Sequence, residues 1–295
     1  AVSNFYVLFT ALFSFVTIVD RLSQQFAILV KDIGIFKPYM KILEIDEEAS
    51  RSISLEKVDL EFKNVSFKYP SSDKYILKNI NLKLNDSMSL AVVGENGAGK
   101  TTFAQILAGL YEPTSGEILL NGKNIDKYDF DRKSLVSAVF QDSLVLPYSI
   151  KDNVLMNSKN PNIDNIYEQT GLDEIINKYD LKDDQILLRL LDDDGVDLSG
   201  GQKQRLFLAR AINKSSAKLL ILDEPTAQLD ALAERELYEL YDKLTENKSS
   251  IFISHRLAST KFCDKVIFLR NGEIIEEGSH EDLMNLGGEY KDLYD

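Results

Sequence analysis

Residues 94–102 read Gly94-Glu95-Asn96-Gly97-Ala98-Gly99-Lys100-Thr101-Thr102, a phosphate-binding loop of the pattern G-x-x-x-x-G-K-[ST]. The wholly apolar run Leu90 to Val93 precedes this loop and is typical of a strand buried on both faces. A helical stretch, Lys100 to Leu110, follows the loop. Because strand, loop and helix occur in the order that the motif requires, we expect the loop backbone to wrap nucleotide phosphates at a helix N-terminus.

Each part of the loop has a predicted task. Lys100 supplies a positive charge to the β- and γ-phosphates, and Thr101 offers a hydroxyl to Mg2+. Glycine allows the backbone amides to turn toward the ligand. The predicted nucleotide-binding residues of the loop are Gly94, Asn96, Gly97, Ala98, Gly99, Lys100, Thr101 and Thr102.

A second apolar run, Leu219 to Leu222, ends in the acidic pair Asp223-Glu224. Taken alone, this pair is compatible with an ordinary loop start. With a phosphate-binding loop upstream, it predicts a carboxylate at the carboxyl end of a buried strand beside that loop. Asp223 would then hold Mg2+ through water, and Glu224 would orient or deprotonate the attacking water.

A third motif, Leu198-Ser199-Gly200-Gly201-Gln202, resembles the LSGGQ signature of the ATP-binding cassette (ABC) ATPases. We expect Ser199 to cap a helix, whose N-terminus is then suited to an anion. The resemblance implies that this anion is the γ-phosphate of ATP held by a partner cassette. The signature residues predicted to bind it are Ser199, Gly200, Gly201 and Gln202.

The resemblance assigns four further residues by their motifs. Tyr69, in Phe67-Lys68-Tyr69-Pro70, matches the aromatic residue that stacks on adenine, although a buried core tyrosine is the alternative. Gln141, after Val139-Phe140, matches the Q-loop glutamine that reaches Mg2+ or the lytic water and links to the helical subdomain. Asp230 ends Ala227-Gln228-Leu229-Asp230, a D-loop that departs from the usual Ser-Ala-Leu-Asp at its first two positions. His255, after an apolar strand, matches the switch histidine; a structural histidine is the alternative.

The resemblance thus implies a complete ATPase site with ATP and Mg2+ as cofactors. Its predicted catalytic residues are Glu224, His255, Gln141 and Lys100. Its predicted magnesium ligands are Thr101, Gln141 and Asp223.

The composition of the 295-residue chain excludes several other classes of site. A formal net charge of -13 disfavours long-range attraction to nucleic acid. A single cysteine, Cys263, excludes an internal disulfide. With only one cysteine, the distant histidines His255 and His280 do not form a zinc site of the usual spacing, and we expect His280 to be solvated beside a helix cap.

The fold class predicted for residues 55–295 is α/β, a P-loop ABC cassette. The resemblance implies a RecA-like mixed sheet, an antiparallel β subdomain and an α-helical subdomain at about residues 150–212. Alternating apolar residues from Val58 to Leu84 predict the antiparallel part. Asn121-Gly122 and Asn271-Gly272 predict hairpin turns.

The N-terminal 45 residues decide which kind of ABC protein this is. Phe5 to Val19 is an uncharged run of about 15 residues, shorter than the roughly 20 that cross a bilayer. We interpret residues 1–45 as the end of an exporter transmembrane domain whose start is missing, and residues 46–54 as a linker. A buried core helix or an amphipathic arm is the alternative for this run.

In this interpretation the partners are a second cassette, in a homodimer or a heterodimer, an exporter transmembrane domain and the membrane. The cassette would lie on the cytoplasmic side of the cell membrane and power export. A soluble ABC ATPase and an importer cassette without a fused membrane domain are the alternatives, but neither accounts for the apolar N-terminus.

Overall fold

The computed structural model describes residues 2–43, 55, 57–128, 132–156, 158, 162–190, 193–224, 231–245, 248–254 and 257–294. The chain divides into two compact units, residues 1–50 and residues 51–295. The predicted linker, residues 46–54, lies outside the described residues.

The first unit is one long helix, α1 (Val2–Leu43). Its segment Phe5–Val30 is 26 residues long with a mean hydropathy of 1.7, which is long and apolar enough to cross a membrane. Every side chain in that segment is exposed, so the segment is not a buried core helix. The Thr10 and Thr17 hydroxyls donate to the carbonyls of Tyr6 and Phe13 at 2.9 and 2.7 Å, which satisfies them inside the helix as a lipid environment requires.

An antiparallel sheet forms the first layer of the second unit, with strand order β2-β1-β4-β5. Buried and exposed residues alternate along much of β1 and β2, because apolar side chains point toward one face only. Its strands are β1 (Leu60–Phe67), β2 (Leu77–Leu84), β4 (Ser115–Leu120) and β5 (Lys123–Asn124).

A six-stranded sheet of order β10-β9-β3-β8-β7-β6 forms the centre of this unit. All neighbouring pairs are parallel except β9 and β10. Its strands are β3 (Ser89–Gly94), β6 (Val136–Val139), β7 (Leu219–Asp223), β8 (Ser249–Ile253), β9 (Lys265–Arg270) and β10 (Glu273–Gly278). Because only β8 separates β3 from β7, the carboxyl ends of those two strands lie two strand spacings, about 10 Å, apart.

In its described residues, the predicted helical region contains four helices that share their own apolar core. Ile150, Ile166, Leu187 and Leu206 are among its fully or nearly fully buried residues. The helices are α4 (Ile150–Leu155), α5 (Ile163–Thr170), α6 (Leu172–Lys178) and α7 (Gly200–Asn213). The other helices of this unit are α2 (Lys100–Leu107), α3 (Arg132–Leu135), α8 (Ala231–Thr245), α9 (His280–Leu286) and α10 (Glu289–Tyr294), with 3₁₀ turns at Ile125–Lys127 and Leu257–Phe262.

Two local predictions have clear outcomes. Both hairpin turns are confirmed, since Asn121, Gly122, Asn271 and Gly272 all have positive φ, as a type I′ turn requires. The prediction that His280 is solvated is wrong. Its ring is partly buried, and its Nδ1 lies 2.7 Å from the hydroxyl of the fully buried Tyr290.

Candidate nucleotide site

The phosphate-binding loop joins β3 to α2 in a conformation that depends on glycine. A Cβ added to Gly94 would lie 2.1 Å from the carbonyl oxygen of Leu269, so no larger residue fits there. Gly97 has φ +79 and nothing within 4 Å of such a Cβ, which leaves open space in front of the loop. The N-cap residue of α2, Gly99, makes no side-chain cap bond, and among the described residues the first amides of the helix are available to an anion.

Lys100 is 5% exposed and folds back onto its own loop. Its Nζ donates to the carbonyl oxygens of Gly94 at 2.9 Å and Glu95 at 3.0 Å. Burial lowers the pKa of Lys100, while the negative charges of Glu224 and Asp223 act in the opposite direction. The lysine of the loop and the acidic pair after β7 are therefore close enough to interact electrostatically.

Asp223 is the most unusual group of the site, because it is completely buried at the end of β7. Its pKa is raised to about 6, chiefly by burial; the charges of Glu224 and Asp142 also act to raise it, whereas Thr101 and Lys100 act to lower it. Thr101 lies near enough to lower the pKa of Asp223, but the contact does not meet ordinary hydrogen-bond geometry. Neither carboxylate oxygen of Asp223 has a regular hydrogen-bond partner among the described residues. A buried carboxylate without partners fits a cation ligand, because a charge left alone in the interior is costly.

Glu224 follows directly and has a backbone conformation that is unusual for a residue with a side chain. Its φ is +50, in the left-handed region. Its N–H donates to the carbonyl oxygen of Ile253 at 2.8 Å, which fixes the start of the loop against β8. Strain of this kind costs of the order of 1–3 kcal/mol and persists where the surrounding structure imposes it.

A cleft of about 320 Å³ brings Gln141 and Glu224 to one place. Gly200 and Lys203 from the start of α7 also line this cleft, as does Leu188. Gln141 shortly after β6, Glu224 directly after β7 and the start of the signature helix α7 thus share a common surface.

Tyr69 lies beside the loop and packs against the edge of the core. Its hydroxyl is 3.0 Å from the Thr102 hydroxyl and donates to Gln105 Oε1 at 3.1 Å. Its ring makes edge contacts with Phe67 and Tyr111 and borders an open cavity of about 410 Å³. Tyr69 is partly exposed and packs against the apolar core, so it is not a fully buried core residue.

The signature segment begins α7 as a capping box. The Ser199 hydroxyl accepts from the N–H of Gln202 at 3.4 Å, and Gln202 Oε1 accepts from the N–H of Ser199 at 2.7 Å. Ser199 is exposed, so the start of this 14-residue helix is open to solvent. The predicted capping role of Ser199 is confirmed. The predicted residues Asp230 and His255 lie outside the described residues.

The ABC transporter family model matches residues 77–227, just over half of the chain. The chain belongs to the ABC transporter family. This confirms the predicted family, the ABC cassette fold and the enzyme class, an ATPase. Nucleotide binding follows from membership.

Similar ABC proteins include a subtilin transport protein, a lipid A-core flippase and an ABC exporter. The chain is 36% identical over 266 residues to the subtilin transport ATP-binding protein SpaT of Bacillus subtilis, covering 86% of this chain and 42% of that protein. It is 34% identical over 253 residues to the ATP-dependent lipid A-core flippase of Escherichia coli K12, covering 84% and 43%. The structure of a bacterial Atm1-family ABC exporter with ATP bound matches with a TM-score of 0.76 at 25% identity, covering 89% of this chain and 47% of that one. The chain thus spans less than half the length of these relatives.

Two residues near this ABC site were missed by the sequence reasoning. Asp142 raises the pKa of Asp223, and Gln105 accepts from the Tyr69 hydroxyl. Asp142 directly follows Gln141, and Gln105 lies one helical turn after Thr102 on α2. That spacing places Gln105 and Thr102 on the same face of α2, which is the one signal that pointed to Gln105.

Proposed function

We propose that this chain binds ATP and hydrolyses it with Mg2+, as one cassette of a dimer that powers export across a membrane. The observation that carries this proposal is the buried Asp223 carboxylate, which has no regular partner and interacts electrostatically with the loop lysine Lys100. An arrangement of this kind suits the anionic phosphates of a nucleotide together with a divalent cation.

In the proposed complex with ATP, the backbone amides of the loop and the Lys100 ammonium group bind the triphosphate. Lys100 exchanges its two carbonyl partners, Gly94 and Glu95, for the β- and γ-phosphate oxygens. The amides of the loop and of the first turn of α2 donate to the same phosphates, and Tyr69 supports the adenine ring.

Thr101, Asp223 and Gln141 are the proposed magnesium ligands. Mg2+ in such a site neutralises developing charge on the phosphates. Mg2+ prefers hard oxygen ligands, and a hydroxyl, a carboxylate and an amide would supply three of them. Phosphate and water oxygens would complete the shell. No further carboxylate cluster is needed, and the described residues contain none.

Glu224 is the proposed residue that orients or deprotonates the attacking water. Its left-handed backbone and its N–H bond to Ile253 fix where the side chain starts, so it is positioned before the substrate arrives. Gln141 borders the same cleft and is proposed to contact the water or the metal. His255 is proposed as the switch histidine for the γ-phosphate, and Asp230 as the contact between cassettes.

The second cassette is proposed to bind through the segment Ser199 to Gln202. The open N-terminus of α7 suits the γ-phosphate of the nucleotide bound by the partner. The apolar segment Phe5–Val30 supports a fused membrane domain, with the cassette on the cytoplasmic side. The similar solved structure, described as an Atm1-family ABC exporter, supports export as the direction.

The deciding experiment is the substitution Glu224→Gln. We expect ATP binding to persist, because the amide is nearly isosteric, while steady-state ATP hydrolysis falls at least a hundredfold. The matched control is Glu281→Gln on the exposed start of α9, which should hydrolyse ATP at the normal rate. Unchanged turnover in Glu224→Gln would sink the assignment.

A further inference from the structure

The side chain of Tyr69 is tied to α2 by two hydrogen bonds in series. Because Tyr69 donates its one hydroxyl hydrogen to Gln105 Oε1 at 3.1 Å, the Thr102 hydroxyl must be the donor in the 3.0 Å contact with Tyr69. The chain of bonds therefore runs from Thr102 through Tyr69 to Gln105. Thr102 is buried, so its position is fixed by the loop and the helix.

Phosphate binding is expected to break only the first of these bonds. Thr102 has a single hydroxyl hydrogen and belongs to the phosphate-binding loop. When a phosphate oxygen accepts that hydrogen, Tyr69 loses one partner and keeps the other. Gln105 alone then holds the phenol oxygen, while Phe67 and Tyr111 hold the ring by edge contacts at 5.0 and 5.3 Å.

We propose that Gln105 is a positioning residue for the nucleobase: through its bond to the Tyr69 hydroxyl it fixes the ring against which the base is expected to stack. This inference rests on the proposed function, because it concerns the base half of the same ATP site. Gln105 touches Tyr69 and not the nucleotide. Its effect is therefore confined to ligands that carry a base, and it does not extend to the phosphates.

The test compares ATP with inorganic tripolyphosphate, which carries the phosphates without a base. Both are titrated calorimetrically, without Mg2+, into the full chain in detergent. In Gln105→Met, which keeps the length of the side chain and removes the acceptor, we expect the Kd for ATP to rise about threefold to tenfold, the range of one net hydrogen bond. The Kd for tripolyphosphate should stay unchanged. In steady state, KM for ATP should rise while kcat stays within about twofold.

Tyr69→Phe removes the Gln105 bond from its other end, together with the bond that Thr102 donates, and keeps the ring. Because the loss of the Thr102 bond affects ATP and tripolyphosphate alike, we expect the ratio of the ATP Kd to the tripolyphosphate Kd to rise as in Gln105→Met. In the double variant this ratio should be no higher than in the single variant with the larger rise, since both changes delete the same Tyr69–Gln105 bond. Tyr111→Phe is the matched control, because the Tyr111 hydroxyl has no hydrogen bond to a described residue; its affinities should not change.

The outcomes separate this inference from the proposed function. If the unaltered chain does not bind ATP, the proposed function itself fails. The positioning role is overturned if the unaltered chain binds ATP and Gln105→Met binds ATP just as tightly. It is also overturned if Gln105→Met loses affinity for ATP and tripolyphosphate equally, or if its effect and that of Tyr69→Phe add in full in the double variant. A selective and non-additive loss establishes it.

Discussion

Replacing Asp223 by asparagine should stabilise the chain while removing its magnesium-dependent turnover. Asp223 is fully buried, and burial is the largest cause that raises its pKa from 3.8 to about 6. In the unfolded chain the same carboxyl has its ordinary pKa. At neutral pH the Asp223 carboxyl is therefore ionised in the folded protein, although its buried environment favours the neutral acid. Asparagine resembles that neutral acid in size and shape.

The magnitude follows from the pKa difference. A shift from 3.8 to about 6 is roughly two units, and each unit corresponds to about 1.4 kcal/mol, which gives an upper value of about 3 kcal/mol. The folded pKa is the higher one, so the folded chain binds more protons between pH 4 and 6. Stability from this group is complete below about pH 4 and is lost as pH rises through about 6. The advantage of Asp223→Asn should accordingly be about 1–3 kcal/mol at pH 7.5 and close to zero at pH 4.

The assay is urea unfolding without nucleotide or Mg2+, followed by the near-ultraviolet circular dichroism of the tyrosines, at pH 4, 5, 6 and 7.5. Asp142→Asn, an exposed neighbour at the end of the adjacent strand, is the control and should change stability by less than about 0.5 kcal/mol. A variant that is less stable than the unaltered chain at pH 7.5, or one whose advantage does not depend on pH, would refute the reasoning.

Four further substitutions test other parts of the site. Lys100→Ala should weaken ATP binding about tenfold to a hundredfold in calorimetry, because charge-assisted hydrogen bonds to the phosphates are lost; unchanged affinity would contradict the proposed role. Ser199→Arg should abolish ATP-dependent dimerisation in light scattering after size-exclusion chromatography, and a monomer that hydrolyses ATP at full rate would disprove the shared site. Gly94→Ala should lower the free energy of unfolding by at least about 2 kcal/mol, since its Cβ meets a backbone carbonyl. Gly97→Ala should cost only about 1–2 kcal/mol, because only its positive φ opposes the change.

Those parts of the fold that depend on local patterns were predictable from the sequence. The apolar runs before residues 94 and 223 are the strands β3 and β7, and both Asn-Gly pairs form the turns expected of them. The first helix after the loop was predicted to reach Leu110, but it ends at Leu107. Gly109 then takes φ +72 against Arg132, and a contact of that kind joins distant parts of the chain and leaves no local signal.

The conformation of individual site residues was not predictable for the same reason. Nothing in Asp223-Glu224 reveals that Glu224 has a left-handed backbone, because that conformation is imposed by its bond to Ile253 about thirty residues later. The bond between Tyr69 and Gln105 likewise spans 36 residues and exists only once β1 packs on α2. Motifs identify which residues meet, while tertiary contacts decide their geometry.

The signature segment shows how one short sequence serves structure and proposed function together. In the capping box, Ser199 uses an oxygen lone pair to accept from Gln202, and its hydroxyl hydrogen makes no bond to a described residue. Gln202 uses its carbonyl oxygen toward Ser199, which leaves its amide group to donate. Both side chains can therefore cap α7 and still offer donors to an anion in front of the helix. The capping role and the proposed γ-phosphate role do not compete, so Ser199→Ala should weaken both the helix and the ATP-dependent dimer, whereas Ser199→Thr should preserve the cap. A Ser199→Thr variant that folds normally but dimerises poorly would separate the two roles. The added methyl group would then obstruct the space that the partner's phosphate needs.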